Sequence, residues 1–309
     1  MPLSIQRKYK IGIIGSFKNL WDEEYIAQAF EKLGHQVIRF DWQNASAEMI
    51  LERELDFILT VKRDIEGYEK LLGKVKTVYW LFDLFWGTPR EAVMKYDIKM
   101  KSDFVFSTDG GHNKEFKDLD INHYLLRQSI WDEDVYLTEP DLLYPEEIVF
   151  VGTNNSWWSY RQRLISFLQR IYGRKFKRYG LKGQDEIRGD DLNRLYNSAK
   201  IVVGDSVYSP YYWSNRVYDV LGRGGFLIHP KIPGLEQEFE YYKHFVPYDI
   251  NNFQQLREII DYYLIHDLER NKIRLKGFQY CKNHYTTTKR CQEMLKIIGQ
   301  KNIGMKGRI

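Results

Sequence analysis

The sequence predicts an α/β protein made of two open parallel sheets, each covered by helices on both faces, with further helices at its C-terminal end. Two observations carry this prediction. Short apolar segments alternate with polar helical stretches, as in repeated βαβ units, and this alternation pauses once, at residues 137–147, before it resumes. The length of 309 residues also exceeds what a single core usually organises, which favours two domains.

The first series of predicted strands begins with KIGIIG, which breaks at Gly15 and is followed by a predicted helix over about 22–33. The strands that come after it are also short and apolar: HQVIRFDW (35–42), DFILTV (56–61), TVYWLFDLF (77–85) and DFVFST (103–108).

The segment LTEPDLLYPEE (137–147) contains two prolines and several acids, and it is typical of a linker between domains. The second series of strands follows: EIVFVG, KFKRYG, KIVVGDS, GGFLIHP and HFVPY, with helices predicted at about 158–172, 190–198 and 214–223 and from Asn252 onward. We therefore expect domains at 1–143 and 144–309. This is the layout of two Rossmann-like domains that face each other across a cleft.

Composition narrows the class of protein. No apolar run reaches the roughly 20 residues that a membrane span requires. With only Cys281 and Cys291, a disulfide framework and a structural zinc site are not expected, which favours the reducing cytoplasm. The net charge is +4, but between Arg161 and Arg188 nine basic residues stand against two acidic ones. Such a stretch attracts phosphates, although a solvated helix face is an equal alternative.

Ligands of open parallel sheets bind at the carboxyl ends of the strands. Gly12 and Gly15 in IGIIGS fall short of a dinucleotide-binding fingerprint, and this leaves an NAD enzyme thinly supported. Gly15 stays a candidate because it ends the first strand.

After the strand VFV, the residues Gly152, Thr153 and Asn154 precede a helix, and Arg161 lies one turn inside it. Helix-start amides with an arginine predict a diphosphate site, and a simple N-cap is the alternative.

The stretch IVVGDSVYSPYYWSNRVYDVLGRGGFLIHP (201–230) carries the densest set of candidates. A strand ends at Gly204, a loop rich in Tyr and Ser follows, and a helix is predicted to close at Gly224 and Gly225. We expect donor-ligand contacts from Asp205, Ser206, Tyr208, Asn215, Arg216 and Asp219. Asp219 would accept hydrogen bonds from ribose hydroxyls, while Asn215 and Arg216 would reach phosphate.

This stretch resembles the C-terminal module of CgeB-like and group 1 glycosyltransferases, in which an Arg, an acidic residue, a small-residue helix end and G-G-f-l-i follow in order. The matching residues are Arg216, Asp219, Gly222, Gly224, Gly225 and FLI. The similarity continues through GLEQEFE (234–240) and NHYTTTKR (283–290), and it covers roughly 146–298. The N-terminal half resembles the family only in layout, apart from LLRQSIWDEDVY.

The resemblance implies a GT-B glycosyltransferase whose C-terminal domain binds the nucleotide-sugar and whose N-terminal domain binds the acceptor. It implies no metal and no cofactor, since the leaving diphosphate is stabilised by helix amides and basic side chains. Two positions depart from the family. Asp219 stands where the family usually has Glu, and Tyr211 stands where many retaining members have a first Glu, so the stereochemistry stays open.

An inverting reaction needs a base on the acceptor side. Asp83 ends the strand VYWLFD among aromatic residues, which could raise the pKa of its carboxyl group by desolvation, and we rank it first. Asp109 and His112 in FSTDGGH are the alternatives. Each of the three could instead cap a loop.

Three functions are open at this level. The first is sugar transfer to a hydroxyl of a small molecule, glycan or protein. The second is transfer to a hydroxymethylated DNA base, which the basic stretch 161–188 and the 16% aromatic content favour, although core packing also explains many of these rings. The third is a non-catalytic binding protein that keeps the nucleotide-sugar fold. The oligomeric state cannot be read from the sequence.

Overall fold

The computed structural model describes residues 7–17, 21–153, 159–180 and 186–305, with the side chains described up to residue 300. The chain divides into two units. Unit 1 comprises residues 1–128 and 287–309, and unit 2 comprises residues 129–286. The predicted boundary at 143/144 differs from this division in two ways. The segment 129–143 packs with the second unit, and the helix that starts at Thr287 packs with the first.

Unit 1 contains a six-stranded sheet in which every strand pair is parallel, in the order β2-β1-β3-β4-β5-β6. Its strands are β1 (Lys10–Gly15), β2 (Gln36–Asp41), β3 (Phe57–Thr60), β4 (Thr77–Leu81), β5 (Phe104–Ser107) and β6 (His123–Leu125). Its helices are α1 (Asp22–Lys32), α2 (Ala47–Leu51), α3 (Glu91–Met94), α4 (Asn113–Asp118) and α10 (Thr287–Met305), with 3-10 turns at Tyr68–Leu71 and Ile98–Lys101.

Unit 2 contains a five-stranded parallel sheet in the order β11-β10-β9-β7-β8. Its strands are β7 (Ile148–Val151), β8 (Phe176–Tyr179), β9 (Ile201–Val203), β10 (Leu227–Pro230) and β11 (Val246–Tyr248). Its helices are α5 (Ser159–Tyr172), α6 (Gly189–Ser198), α7 (Arg216–Gly222), α8 (Phe253–Ile265) and α9 (Asp267–His284), with 3-10 turns at Asp132–Asp134, Gly173–Lys175 and Leu235–Gln237.

The strands form because their apolar runs are buried on both faces, as parallel sheets require. All four residues of β3 and all five of β4 are buried. In unit 2, one apolar cluster around Leu195, Val217 and Leu221 covers one face of the sheet, and a second around Leu164, Leu168 and Ile260 covers the other. Two parallel α/β sheets with C-terminal helices confirm the predicted fold class.

Each sheet has a point where the chain reverses the direction in which it adds strands. In unit 1 this switch point lies between β1 and β3, and in unit 2 it lies between β7 and β9. Loops on either side of a switch point diverge to opposite faces of the sheet and leave a crevice at the carboxyl ends of the strands. We therefore expect ligand sites at the two switch points.

Candidate functional site

The switch point of unit 2 is framed by glycine turns. Gly152 follows β7, and a Cβ atom built there would lie 2.7 Å from Nη2 of Arg216. Gly204 follows β9, and its Cβ atom would lie 2.8 Å from Cδ2 of His229. The buried His229 ring leaves no room for a Cβ atom at Gly204, and Gly152 has a positive φ of 157°, so glycine is favoured at both turns. The backbone can therefore bring charged side chains against the strand ends.

Asp205 joins the two sides of this switch point. Its carboxylate is fully buried and accepts hydrogen bonds from Nε (2.6 Å) and Nη2 (3.2 Å) of Arg161, which lies on α5. Arg216, at the start of α7, donates from Nη1 to the same carboxylate and to the Asp205 carbonyl at 3.0 Å. Burial alone would raise the pKa of Asp205, but the guanidinium groups of Arg216 and Arg161 lower it overall.

Two arginines against one aspartate leave an excess of one positive charge at this strand end. Both guanidinium groups also lie over the Phe150 ring, at 4.9 Å for Arg216 and 5.6 Å for Arg161. Arg161 further donates to the Thr153 carbonyl at 2.6 Å. Both arginines are buried, with 6% and 9% exposure, and they hold the loops that follow β7 and β9. That they also contact phosphate stays a prediction.

Asp219 lies one turn further along α7 and belongs to a second cluster. Its Oδ1 accepts a hydrogen bond from Nε of Arg223 at 2.8 Å, and 27% of its side chain is exposed. Arg223 also binds Asp134, the side chain of Asn193 and, at 3.1 Å, the carbonyl of Gly189. No structural reason for a carboxylate at this position could be predicted from the sequence, and the ion pair with Arg223 supplies one. The exposed part of Asp219 remains able to accept hydrogen bonds from a ligand.

The remaining donor-site candidates divide between the two units. Ser206 is buried and accepts a hydrogen bond from the Ser214 amide at 3.2 Å, so it shapes the loop before α7. Tyr208 is 56% exposed, and Asn215 is exposed at the start of α7. Gly15 lies in unit 1, at the end of β1. Asn154 lies outside the described residues, as do the predicted helix start at Trp158 and Lys182 and Asp185 of the basic stretch.

The acceptor-side candidates have very different surroundings. The Asp83 side chain is 61% exposed and pairs with Arg90 at 3.1 Å, so the predicted aromatic enclosure of this carboxylate is wrong. Asp109, in contrast, is only 1% exposed, and burial raises the pKa of its carboxyl group. Its Oδ1 accepts from the Gly111 amide at 2.8 Å, and its Oδ2 lies 2.8 Å from Nδ1 of His112.

Asp109 and His112 therefore form a dyad at the carboxyl end of β5. The His112 ring stacks on the Trp86 indole with the ring centroids 5.9 Å apart, and its side chain keeps 23% exposure. A buried carboxylate at Nδ1 fixes the orientation of the imidazole and leaves Nε2 as the proton acceptor. This is the geometry of a general base with an orienting acid, and it favours His112 over Asp83.

His229 and Glu23 were not predicted as site residues from the sequence, and Arg178 was predicted only as part of the basic stretch 161–188. His229 is fully buried behind Gly204, with Nδ1 donating to the Pro230 carbonyl at 2.8 Å, and burial lowers its pKa to about 4. Arg178 on β8 lies close enough to Arg161 for their charges to repel, and its Nη1 is buried without a hydrogen-bond partner in the described part of the chain. Glu23 in unit 1 is buried and equally unpartnered. The signal for His229 and Glu23 was a polar residue inside an apolar pattern.

A model of a known protein family matches part of this chain. A family model described as glycosyl transferase-like matches residues 161–296, which include Arg161, Asp205, Arg216 and Asp219. No curated protein matches the chain. Across the described residues, no helix is both long and apolar enough to cross a bilayer.

Solved structures then show the fold. An α-glucosyltransferase in complex with UDP-glucose and DNA containing an abasic site is similar at a TM-score of 0.73 and 12% identity, over 95% of this chain and 100% of that one. Anabaena HepE in complex with UDP-glucose gives 0.68 and 13%, over 94% and 100%. A glycosyltransferase from Rickettsia africae ESF-5 gives 0.63 and 14%, over 94% and 98%. The solved structures show that the chain has the GT-B fold, and the family match supports a glycosyltransferase.

Proposed function

We propose that this chain moves a sugar from a nucleoside-diphosphate donor, bound at the switch point of unit 2, to a hydroxyl group of an acceptor bound by unit 1. The observation that carries the proposal is the Arg161–Asp205–Arg216 cluster. It holds excess positive charge at the carboxyl ends of β7 and β9, and it lies one helical turn from the part-exposed carboxylate of Asp219.

We assign roles to these residues as follows. The amides of the Gly152 turn and the guanidinium groups of Arg161 and Arg216 neutralise the diphosphate as it leaves, without a metal ion or cofactor. Asp219 accepts hydrogen bonds from the ribose hydroxyls of the donor. His112, oriented by Asp109, takes the proton of the acceptor hydroxyl when the new glycosidic bond forms.

We also propose that the chain belongs to the CgeB-like subgroup of glycosyltransferases, which the pattern of Arg216, Asp219 and Gly224-Gly225 supports. Cys281 and Cys291 are both buried thiols that form no disulfide bond among the described residues, which supports a cytoplasmic location.

A thermal-shift series with nucleotide-sugars tests the proposal. We use UDP-glucose first, because two of the similar structures contain it, and then the GDP- and dTDP-sugars. A ligand that binds only the native state raises Tm by mass action, by an amount equivalent to about 2.7 kcal/mol at a hundred times Kd. Slow release of free sugar from the same donor would exclude a purely binding role. If no nucleotide-sugar shifts Tm and none is hydrolysed, the proposal fails.

Replacing Asp219 with asparagine should weaken donor binding. The loss of a charged hydrogen-bond acceptor for ribose costs about 1.5–3 kcal/mol, which calorimetry with UDP-glucose, or with whichever donor raises Tm, would measure. Asp261→Asn is the matched control, since Asp261 forms an exposed ion pair with Arg257 on α8. Unchanged affinity in Asp219→Asn would limit this carboxylate to holding Arg223.

Transfer to a DNA base is the second candidate. It is supported by the DNA-bound α-glucosyltransferase among the similar structures, and by an open groove of about 600 Å³ that Arg170, Lys177 and Arg178 line beside β8. Lys177 is partly neutralised by Glu146 at 3.6 Å. A mobility-shift assay with a duplex that carries hydroxymethylcytosine, at 50 and at 200 mM salt, decides between the acceptors. Binding through several phosphates loses about 10³-fold or more over this range.

A further inference from the structure

The switch point of unit 1 carries a glutamate and an arginine whose buried polar atoms lack hydrogen-bond partners in the described part of the chain. Glu23, in the first turn of α1, is completely buried, yet neither oxygen of its carboxylate has a hydrogen-bond partner in the described part of the chain. Arg63, in the loop after β3, places Nε 3.9 Å from Oε1 of Glu23. This Nε is likewise buried without a partner among the described residues. Buried polar groups are almost always paired, so these two groups need an explanation.

The backbone is arranged to keep Glu23 in this place. A Cβ atom on Gly15, at the end of β1, would lie 2.5 Å from Cβ of Glu23, so only glycine lets the side chain pass over the strand end. Ile26, Ala27 and Phe30 share the buried face of α1 with it. Glu23 thus occupies a core-facing position at which an apolar residue would ordinarily be found.

Aromatic rings complete the cluster. The Arg63 guanidinium lies 5.4 Å from the ring centroid of Trp21 and 5.2 Å from that of Trp42, so the two indoles flank it. Trp21, Trp42 and Arg63 are all partly exposed. The cluster therefore has a polar interior, aromatic sides and an exposed edge.

The switch point of unit 2 provides a contrast. There the arginine lies on the helix after β7 and the aspartate lies after β9, and Nε of Arg161 donates a hydrogen bond to Asp205 at 2.6 Å. In unit 1 the two residue types exchange places, because the acid lies on the helix after β1 and the arginine lies after β3. The distance from Nε of Arg63 to Oε1 of Glu23 is 3.9 Å, which is too long for a hydrogen bond. In the described residues, the acid and the arginine of unit 1 thus leave a carboxylate and one N–H group without hydrogen-bond partners, whereas Asp205 and Arg161 of unit 2 bind each other.

We infer that Glu23, Arg63, Trp21 and Trp42 form the acceptor subsite, and that it recognises a neutral sugar ring through one of its hydroxyl groups. This inference rests on the proposed function. A hydroxyl group that reaches these buried atoms past the partly exposed Trp21, Trp42 and Arg63 side chains would satisfy both, since it donates to the Glu23 carboxylate and accepts from Nε of Arg63. A phosphate would meet the Glu23 carboxylate and be repelled. The indoles offer the large apolar surface that packs against the C–H face of a sugar.

Titration of Glu23 agrees with this geometry. Desolvation by burial raises the pKa of its carboxyl group, and Lys62 and Arg63 oppose the rise while Asp22 adds to it. A raised folded-state pKa means that Glu23 favours the fold below its ordinary pKa of 4.5. This stabilisation is lost as the pH rises through the folded-state value. Without a ligand at neutral pH, Glu23 is therefore a destabilising residue that is kept at the site.

Two variants of adjacent residues test the inference. Glu23→Gln should raise Tm at pH 7–8 by about 2–4 °C, and the gain should shrink as the pH falls toward 4.5. Glu24→Gln is the matched control, because Glu24 pairs with Arg39 at 2.9 Å, away from the cluster. It should leave Tm unchanged or lower it. If the Glu23 carboxylate stabilised the fold, Glu23→Gln would lower Tm.

Binding is read by saturation-transfer NMR with methyl α-glucoside, methyl α-galactoside, methyl α-mannoside and N-acetylglucosamine as probes. We expect at least one probe to bind the wild type and Glu24→Gln. Glu23→Gln should weaken that binding about tenfold or more. Trp42→Ala, a change in a partly exposed loop, should weaken it as well and serves if Glu23→Gln does not fold.

Three outcomes would overturn the inference: unchanged sugar binding in Glu23→Gln and Trp42→Ala, binding of no sugar by the wild type, or binding of the hydroxymethylcytosine duplex with loss in the same variants. The last would make the acceptor a nucleic acid. Donor binding and hydrolysis by the wild type are measured separately, so failure of this subsite is distinguishable from failure of the transferase assignment.

Discussion

Replacing His112 with alanine should lower sugar transfer by about 10²–10⁴-fold, the usual contribution of a positioned base, while the affinity for the donor stays within twofold or so. The physical reason is the buried Asp109 carboxylate, which lies 2.8 Å from Nδ1 and leaves Nε2 free to accept a proton. Transfer is measured at saturating donor, so that binding effects do not enter kcat.

Asp109→Asn should also slow transfer, because an amide no longer selects the tautomer with hydrogen on Nδ1. His266→Ala is the control, since that partly exposed imidazole stacks on Tyr262 in unit 2. Asp83→Asn decides between the alternatives. If it abolishes transfer while His112→Ala does not, the base is the exposed carboxylate after β4. If none of the three matters, the reaction is a retaining one that uses no protein base from unit 1.

The second large effect is on stability. Asp205→Ala should lower the free energy of unfolding of unit 2 by about 3–5 kcal/mol, because it leaves the buried guanidinium groups of Arg161 and Arg216 without their counter-charge. Urea denaturation followed by circular dichroism measures this loss. Asp249→Ala is the control: its ion pair with Lys231 is about half exposed on both sides, and such pairs contribute about 0–1 kcal/mol.

The same carboxylate predicts a pH dependence. The lowered pKa of Asp205 contributes stability that is present above its ordinary pKa of 3.8 and is lost as the pH falls toward the folded-state value. Wild-type unit 2 should therefore unfold in acid more steeply than Asp205→Ala. Equal acid profiles for the two proteins would mean that the arginines find other partners.

Much of the fold could be predicted because parallel strands are buried on both faces and leave long apolar runs. The strand β6 could not, because its three residues include a histidine and lie at the edge of the sheet. The division of the chain was also out of reach. Nothing local in α10 indicates that it packs on α1 in unit 1 rather than on its neighbours in sequence.

The candidate site, like the fold, could be predicted only in part. The glycine turns at Gly152 and Gly204 could be predicted, since each follows an apolar strand. The pairing of Arg161 with Asp205 could not, because the two residues are 44 positions apart and only the strand order brings them together. Glu23 left a signal that pattern analysis can use, namely an acid three, four and seven residues before Ile26, Ala27 and Phe30 on one helical face.

Unit 1 is built from two separate stretches of the chain, and this has a consequence for its folding during synthesis. A ribosome completes β1 to β6 early, but α10, whose buried Cys291, Met294 and Ile298 belong to this unit, emerges only after all of unit 2. The nascent N-terminal half must therefore wait with α1 incompletely covered, whereas unit 2 is continuous and can fold as it leaves the exit tunnel. Truncation before Thr287 should accordingly yield a unit 2 that folds, attached to a unit 1 that is prone to aggregate.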